Sequence, residues 1–277
     1  MMLFEKYNSE LFLKIFLPLL IFVILFFSEN TFPQTVKRNY IGGNFGGSDF
    51  HLLDLRASPL IFGSIGITPS LQYFYRGDKS LHYIDISYFS DNLKTSAENF
   101  NTDNQKGRIR YSYLHTVTSF LLFQQNFDLY LGGSASTFLC HSDYYYAWIP
   151  PGYSRAMESW YWNSSLDITA QIEFKPGGRE FFSLRLFIPV VSNISRPKYS
   201  PSGDYNYIDN DWKFKMFGKT EFIPHNFSLN TILAYQRPLI WNFNFQVSYE
   251  FYYSAYNKPK DVNMYMNNFS GGLFFCF

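Results

Sequence analysis

The chain has 277 residues, 47% hydrophobic and 22% aromatic, with 32 Phe, 23 Tyr and 5 Trp. Mean hydropathy is nevertheless −0.16, so polar residues are interleaved with apolar ones, whereas a helical membrane protein would show runs of about 20 apolar residues. The net charge of +1 excludes a basic nucleic-acid surface and a strongly anionic partner, and the two cysteines, Cys140 and Cys276, make neither a disulfide framework nor a metal motif.

The N-terminus reads as a secretory signal, residues 1–34. Lys6 and Lys14 supply the charged end, and Ile15 to Phe27 form an apolar core interrupted only by Pro18, the length of a signal h-region. An uncleaved inner-membrane anchor is the alternative, because the apolar stretch extends back to Leu11. No small-residue Ala-x-Ala site follows, and the cut is placed near Gln34; no cysteine follows the core, which argues against a lipoprotein. Residues 35–49 read as a flexible lead-in. Gly42-Gly43-Asn44-Phe45-Gly46-Gly47 lacks the Lys-Ser/Thr and the strand–helix context of a phosphate loop.

From residue 50 the chain is a string of alternating segments. His51 to Ser58 and Ser70 to Arg76 are the expected opening strands, followed by Leu81 to Ser90. Gly107 to Thr118 sets Ile109, Tyr111 and Tyr113 against Arg108, Arg110 and Ser112. Phe127 to Thr137 sets Phe127, Leu129 and Leu131 against Asp128, Tyr130 and Ser134. Trp160 to Phe174 is the cleanest: Trp160, Trp162, Leu166, Ile168, Ile172 and Phe174 share one parity, while Asn163, Asp167, Gln171 and Glu173 share the other. Phe181 to Val190 follows, with Arg185 on its polar face. Asp211 to Phe222 sets Trp212, Phe214 and Met216 against Lys213, Lys215, Lys219 and Glu221. Trp241 to Tyr252 sets Trp241, Phe243, Phe245, Val247 and Phe251 against Asn244, Gln246, Ser248 and Glu250.

Residues of one parity face one side of a sheet. Charges on one face and aromatics on the other cannot both meet a protein core; they fit lipid outside and a polar lumen inside. A closed barrel is also the strand solution that leaves no unpaired edge in hydrocarbon. The fold expected is therefore all-β, a closed antiparallel transmembrane β-barrel over residues 50–277. Its lumen-lining candidates are Arg108, Arg110, Asp128, Asp167, Glu173, Arg185, Lys213, Lys215, Lys219, Glu221 and Glu250. Trp160, Trp162, Trp212 and Trp241 are the candidates for interfacial girdles.

Turn chemistry occurs at Gly77-Asp78-Lys79-Ser80, at Lys175-Pro176-Gly177-Gly178-Arg179 and at Pro224-His225-Asn226. Leu93 to Lys106, Leu139 to Ser159 and Ser192 to Asn210 read as long polar loops. Length allows roughly 10–12 strands; twelve is favoured, with a missed strand near Ala57 to Thr68, where Pro59 and Pro69 blur the pattern. In this arrangement Cys140 lies past the outer end of a strand and Cys276 at the opposite end of the barrel, so two free thiols are expected.

The chain ends Phe-Ser-Gly-Gly-Leu-Phe-Phe-Cys-Phe. Phe269, Leu273, Phe275 and Phe277 share a parity, with Phe274 the exception. This ending resembles the closing strand of bacterial outer-membrane β-barrel proteins. The resemblance is at the level of the class and carries no family-specific motif. It implies outer-membrane localisation after export through the periplasm, contact with outer-membrane lipids, and recognition of the terminal aromatic strand by the barrel-assembly machinery.

Chemistry is sparse. The five histidines, His51, His82, His115, His141 and His225, show no metal spacing, and each reads better as solvated or hydrogen-bonded. No His-x-Ser-Asn segment of outer-membrane lipid hydrolases is present; His141-Ser142-Asp143 is a passing similarity to omptin-type proteases. No catalytic residue, cofactor or metal is expected. Luminal charges of both signs in a narrow barrel read as a packed polar network before a selectivity lining. The loop Tyr144 to Tyr153, rich in aromatics, reads as a cap on the barrel mouth or as the contact for an extracellular ligand. The functional expectation is a structural, adhesive or narrow-channel barrel. An outer-membrane lipid-modifying hydrolase and a soluble β-sandwich or lipocalin-like carrier are the alternatives.

Overall fold

In the computed structural model, residues 39–97, 100–122, 125–146, 157–176, 180–197, 218–223, 225–258 and 260–277 are described. The expected signal segment, 1–34, lies outside them. The strands are β1 (Asn39–Asp54), β2 (Ile61–Arg76), β3 (Ser80–Lys94), β4 (Phe100–Leu122), β5 (Gln125–Tyr146), β6 (Met157–Phe174), β7 (Phe181–Ser195), β8 (Lys219–Phe222), β9 (Asn226–Pro238), β10 (Phe243–Tyr256) and β11 (Val262–Cys276). All pairings are antiparallel. β1 pairs with both β2 and β11, and β6 pairs with β7, so the sheet closes into a ten-stranded barrel with β8 as an additional short strand.

Ten strands replace the twelve favoured from sequence, and β8 explains the miscount. β7 pairs with β9 through Phe181–Phe187 and with β8 through Val191–Ile194, while its other edge is occupied by β6 along the same length. β8 therefore continues the line of β9 along β7. The turn around residue 225, closed by His225 N–H donating to Phe222 O at 2.9 Å, inserts extra residues into one crossing and does not reverse the chain. The described part of the segment read as a strand over 211–222, Lys219–Phe222, is thus no separate crossing; its residues before 218 lie outside the described ones. Nor is a strand hidden near Pro69, since β2 runs through it unbroken.

The lead-in was misjudged as well. Residues 39–49 are wall, not a flexible segment: β1 is hydrogen-bonded to both neighbours over that length. Glycine hides the alternation there. A Cβ on Gly42 would come within 2.7 Å of the Phe274 ring, so the missing side chain makes room for the one aromatic of the last strand that points inward.

Both described chain ends, Asn39 and Phe277, sit at the same end of the barrel, joined by Asn39 N–H to Phe277 O (3.2 Å) and Phe277 N–H to Asn39 O (3.0 Å). This is the turn end, with connections 77–79, 123–124, 175–180 and 239–242. The opposite, loop end carries 55–60, 95–99, 147–156, 196–218 and 257–261. The long loops expected at 93–106 and 139–159 are mostly strand: β3 reaches Lys94 and β4 begins at Phe100, while β5 reaches Tyr146 and β6 begins at Met157. They are polar because the wall itself turns polar toward the loop end. Cys140 accordingly lies within β5, buried, and not past its end; neither Cys140 nor Cys276 is in a disulfide.

The outer wall is apolar over a band. Ile65, Ile67 and Leu71 on β2, Leu166 and Ile168 on β6, and Phe269, Leu273 and Phe275 on β11 are all exposed. From Phe269 on β11 to the following Phe277 the band has a height of about 20 Å at ordinary rise and tilt. Above it the outward positions are Asn267, Tyr265 and Asn263, and across the seam Asp49 and His51.

Candidate functional site

The lumen holds the chemistry-bearing side chains, in three layers. At the turn end Tyr40, Phe74, Leu81, Tyr83, Leu114, Tyr130, Phe274 and Cys276 form an apolar cluster. At the loop end Phe50, Leu52, Phe62, Phe89, Leu93, Tyr144, Tyr161, Tyr252, Tyr256 and Met264 belong to a larger one. Between them lies a polar layer. Each layer follows from strand parity: the even positions of β1, β2, β4, β5, β9, β10 and β11 and the odd positions of β3 and β6 are the buried ones.

The polar layer is cross-braced. Arg108 on β4 forms a bidentate pair with Glu250 on β10, Nη2 to Oε2 at 3.0 Å, and Asn230 donates to the same carboxylate at 2.5 Å. Arg110 donates to Asn230 Oδ1 at 2.8 Å and stacks over Phe187, 3.7 Å from its centroid. Arg185 donates through Nε to Gln171 at 2.8 Å, lies 3.9 Å from Asp85, and covers the Tyr83 ring at 3.4 Å. Asp167 accepts from Ser165 and Ser136. Toward the turn end, Arg76 grips Glu173 with two hydrogen bonds, 2.7 and 2.9 Å. Such planar two-point pairs hold geometry as well as charge, and inside low dielectric each ion needs its partner.

The predicted lining residues divide accordingly. Arg108, Arg110, Asp167, Glu173, Arg185 and Glu250 are buried in the lumen or at its polar margin. Glu221 sits at the loop end, bonded by Lys258 at 3.1 Å, and Lys219 is exposed there. Asp128 lies at the turn end, where it accepts from Ser119 (2.6 Å) and Lys175 (2.9 Å). Burial of Lys175 works against its charge, but the carboxylates of Glu173 and Asp128 outweigh it and hold the ammonium above the usual lysine range. Lys213 and Lys215 lie outside the described residues.

Sequence reasoning missed Arg76, Asp85, Asn230 and Lys106 as luminal residues; Gln171 it placed on the polar face without singling it out. Lys106 is the most unusual of these, with its ammonium 3.7 Å from the Phe50 centroid, 4.2 Å from that of Phe89 and 2.9 Å from Met266 Sδ. Its parity with Arg108 and Arg110 was the available signal. The apolar layers had none, because a luminal Phe reads the same as a lipid-facing one.

Two cavities along the lumen hold about 20 Å³ each, one beside Phe50, Lys106 and Glu250, the other beside Phe74, Arg185 and Gln246, room for roughly one water apiece.

Of the girdle candidates, Trp160 and Trp162 are on β6 positions of the outward parity, and Trp162 Nε1 donates to Thr137 Oγ1 at 2.9 Å. Trp241 is at the tip of the turn between β9 and β10, 89% exposed and at φ 53°. Trp212 lies outside the described residues. Of the aromatic loop, Tyr144 is not external: it is fully buried in the lumen, edge-on to Phe62 at 5.3 Å. Residues 147–153 lie outside the described ones. Phe269, Leu273, Phe275 and Phe277 are all exposed on the wall.

No histidine enters the lumen. His51, His82, His115 and His141 take outward positions, and His225 is in the exposed turn. His82 Nδ1 is 2.9 Å from the Tyr111 hydroxyl. Among the described residues, no serine or aspartate is hydrogen-bonded to His82 or His115, the geometry a lipid-hydrolase triad would need.

No family model matches the chain, and no curated protein matches it. Among solved structures, the outer membrane protease OmpT from Escherichia coli aligns with 90% of this chain and 100% of its own, at a TM-score of 0.53 and 9% identity. Neisserial surface protein A aligns with 86% of this chain and 97% of its own, at 0.37 and 13%. The translocator domain of autotransporter NalP from Neisseria meningitidis aligns with 88% and 90%, at 0.38 and 8%. These are bacterial outer-membrane β-barrels. What the OmpT match carries is the fold: a closed barrel of the outer-membrane type.

Proposed function

We propose that the chain is an integral protein of a bacterial outer membrane and acts as a closed, non-conducting barrel, with a structural or adhesive role played by its outer surface and loop end. The layered lumen carries this reading. An ion crossing it would have to displace two aromatic clusters and break the Arg76–Glu173 and Arg108–Glu250 pairs. Narrow barrels fill in this way, whereas open pores need about 16 strands. Insertion in a membrane is supported by the apolar band on the wall, about as tall as hydrocarbon requires, and by the interfacial aromatics beside it.

The test is reconstitution of the folded full chain into planar bilayers, alongside heat-modifiable gel migration to verify the barrel. Silent membranes are expected. Discrete, reproducible conductance steps from the folded fraction would overturn the closed-barrel reading.

A further inference from the structure

We propose that the outer wall near the loop end carries a binding site for a first-row divalent cation of the zinc type, made by His141, Asp143 and Glu158. His141 and Asp143 are two residues apart on β5 and so face the same way; Glu158 lies directly across from Asp143 on β6. One donor atom from each of the three lies within 4.8 Å of the others, and His141 Nε2 is already 2.7 Å from Glu158 Oε1. Three ligands around zinc at ordinary bond lengths stand about 3.4 Å apart, so side-chain rotation of about an ångström gathers them without moving the wall.

On its other side Asp143 has Asp103 of β4 as its register partner; the Asp103 carboxylate is turned toward β3, where it accepts from Asn92 Nδ2 at 2.7 Å, and so stands outside the ligand set. The imidazole selects among cations: nitrogen with two carboxylates suits zinc and its neighbours, while calcium and magnesium prefer all-oxygen shells. Three protein ligands leave a coordination position open. The side chains of His141 and Glu158 are only 12% and 17% exposed, and Trp160, the register partner of His141, is a neighbour on the same face.

The test is equilibrium dialysis of the detergent-folded full chain against zinc, with cobalt absorption as a spectroscopic reading of the ligand set. One ion per chain at micromolar zinc and a visible cobalt band are expected, with affinity reduced by at least about tenfold in His141→Ala and in Glu158→Gln. His51→Ala is the control, since His51 also sits on the wall, 2.9 Å from Asp49, and should leave binding unchanged. Heat-modifiable migration verifies that each variant is folded. Absence of stoichiometric binding by the wild-type chain, binding only at millimolar zinc, or equal affinity in folded His141→Ala would overturn the site.

Discussion

Arg76 on β2 and Glu173 on β6 meet across the lumen, guanidinium to carboxylate at 2.7 and 2.9 Å, although three strands separate them around the ring. The pair is a strut, not a wall contact. It lies against the turn-end aromatic cluster, with Arg76 also 4.8 Å from the Phe181 ring, and Lys175 reaches the same carboxylate from the rim at 3.4 Å. Glu173→Gln therefore leaves a buried guanidinium without its counter-charge. A loss of about 3–5 kcal/mol is expected, read as a lower denaturant midpoint of the refolded barrel in micelles. Arg76→Met combined with Glu173→Leu should recover most of it, because the apolar pair removes the need for compensation.

Packing in the loop-end cluster gives a second expectation. A Cβ on Gly66 would meet the Phe89 ring at 2.8 Å and the Asp91 carboxylate at 2.9 Å, both side-chain atoms. Gly66→Val should cost about 1–3 kcal/mol by overpacking. Phe89→Ala leaves a cavity of its own and costs about 3–5 kcal/mol. In the double variant each change relieves the other, so the combined loss should fall short of the sum by more than about 0.5 kcal/mol. Additive losses in denaturant titrations would mean that the two positions do not touch.

Because the plugs are two, trimming one should not open the barrel. Phe74→Ala with Phe274→Ala thins the turn-end layer and leaves Phe50, Phe62, Phe89 and Tyr144 in place at the other. Bilayers with that variant should stay silent. Conductance is expected only when Phe50→Ala and Phe62→Ala are added and the Arg76–Glu173 and Arg108–Glu250 pairs are removed as well. Current through the first variant would show that the loop-end cluster yields to ions unaided.

How much of this was legible follows from which residue types alternate. In β6 the outward Leu166 and Ile168 are apolar and the inward Asp167, Gln171 and Glu173 polar, so parity and polarity agree and the segment was read correctly. The same agreement placed Arg108, Arg110 and Glu250 inside. It fails where both faces are apolar: Phe50, Phe62 and Phe74 are luminal, yet nothing in their chemistry separates them from Phe45, which is 71% exposed on the wall. It fails again where a face has no side chain, as at Gly42 and Gly46. Strand ends were misplaced for a third reason. Beyond the apolar band the outward positions are polar, Asp103 and Gln105 on β4 and His141 and Asp143 on β5, so a hydrogen-bonded wall carries the composition of a loop. The contacts between His141, Asp143 and Glu158 depend on the pairing of β5 with β6, which spacing along the chain does not contain.

The last strand offers the remaining test. Phe277 contributes backbone bonds to Asn39 in both directions, while its ring is exposed and, among the described residues, stacks on Phe275, with centroids 6.1 Å apart. Its side chain is thus nearly irrelevant to the closed barrel: Phe277→Ser should shift the denaturant midpoint in micelles by less than about 0.5 kcal/mol. If the terminal aromatic is read during assembly, as the resemblance of this strand implies, the same variant should accumulate less in the outer-membrane fraction of an expressing cell, with the shortfall recovered by Phe277→Trp. Leu71→Ser supplies the comparison, since Leu71 is also exposed on the apolar band, at 64%, but lies far from the chain end. A matching shortfall for Leu71→Ser would assign the effect to lost lipid contact. A shortfall confined to Phe277→Ser would assign it to recognition.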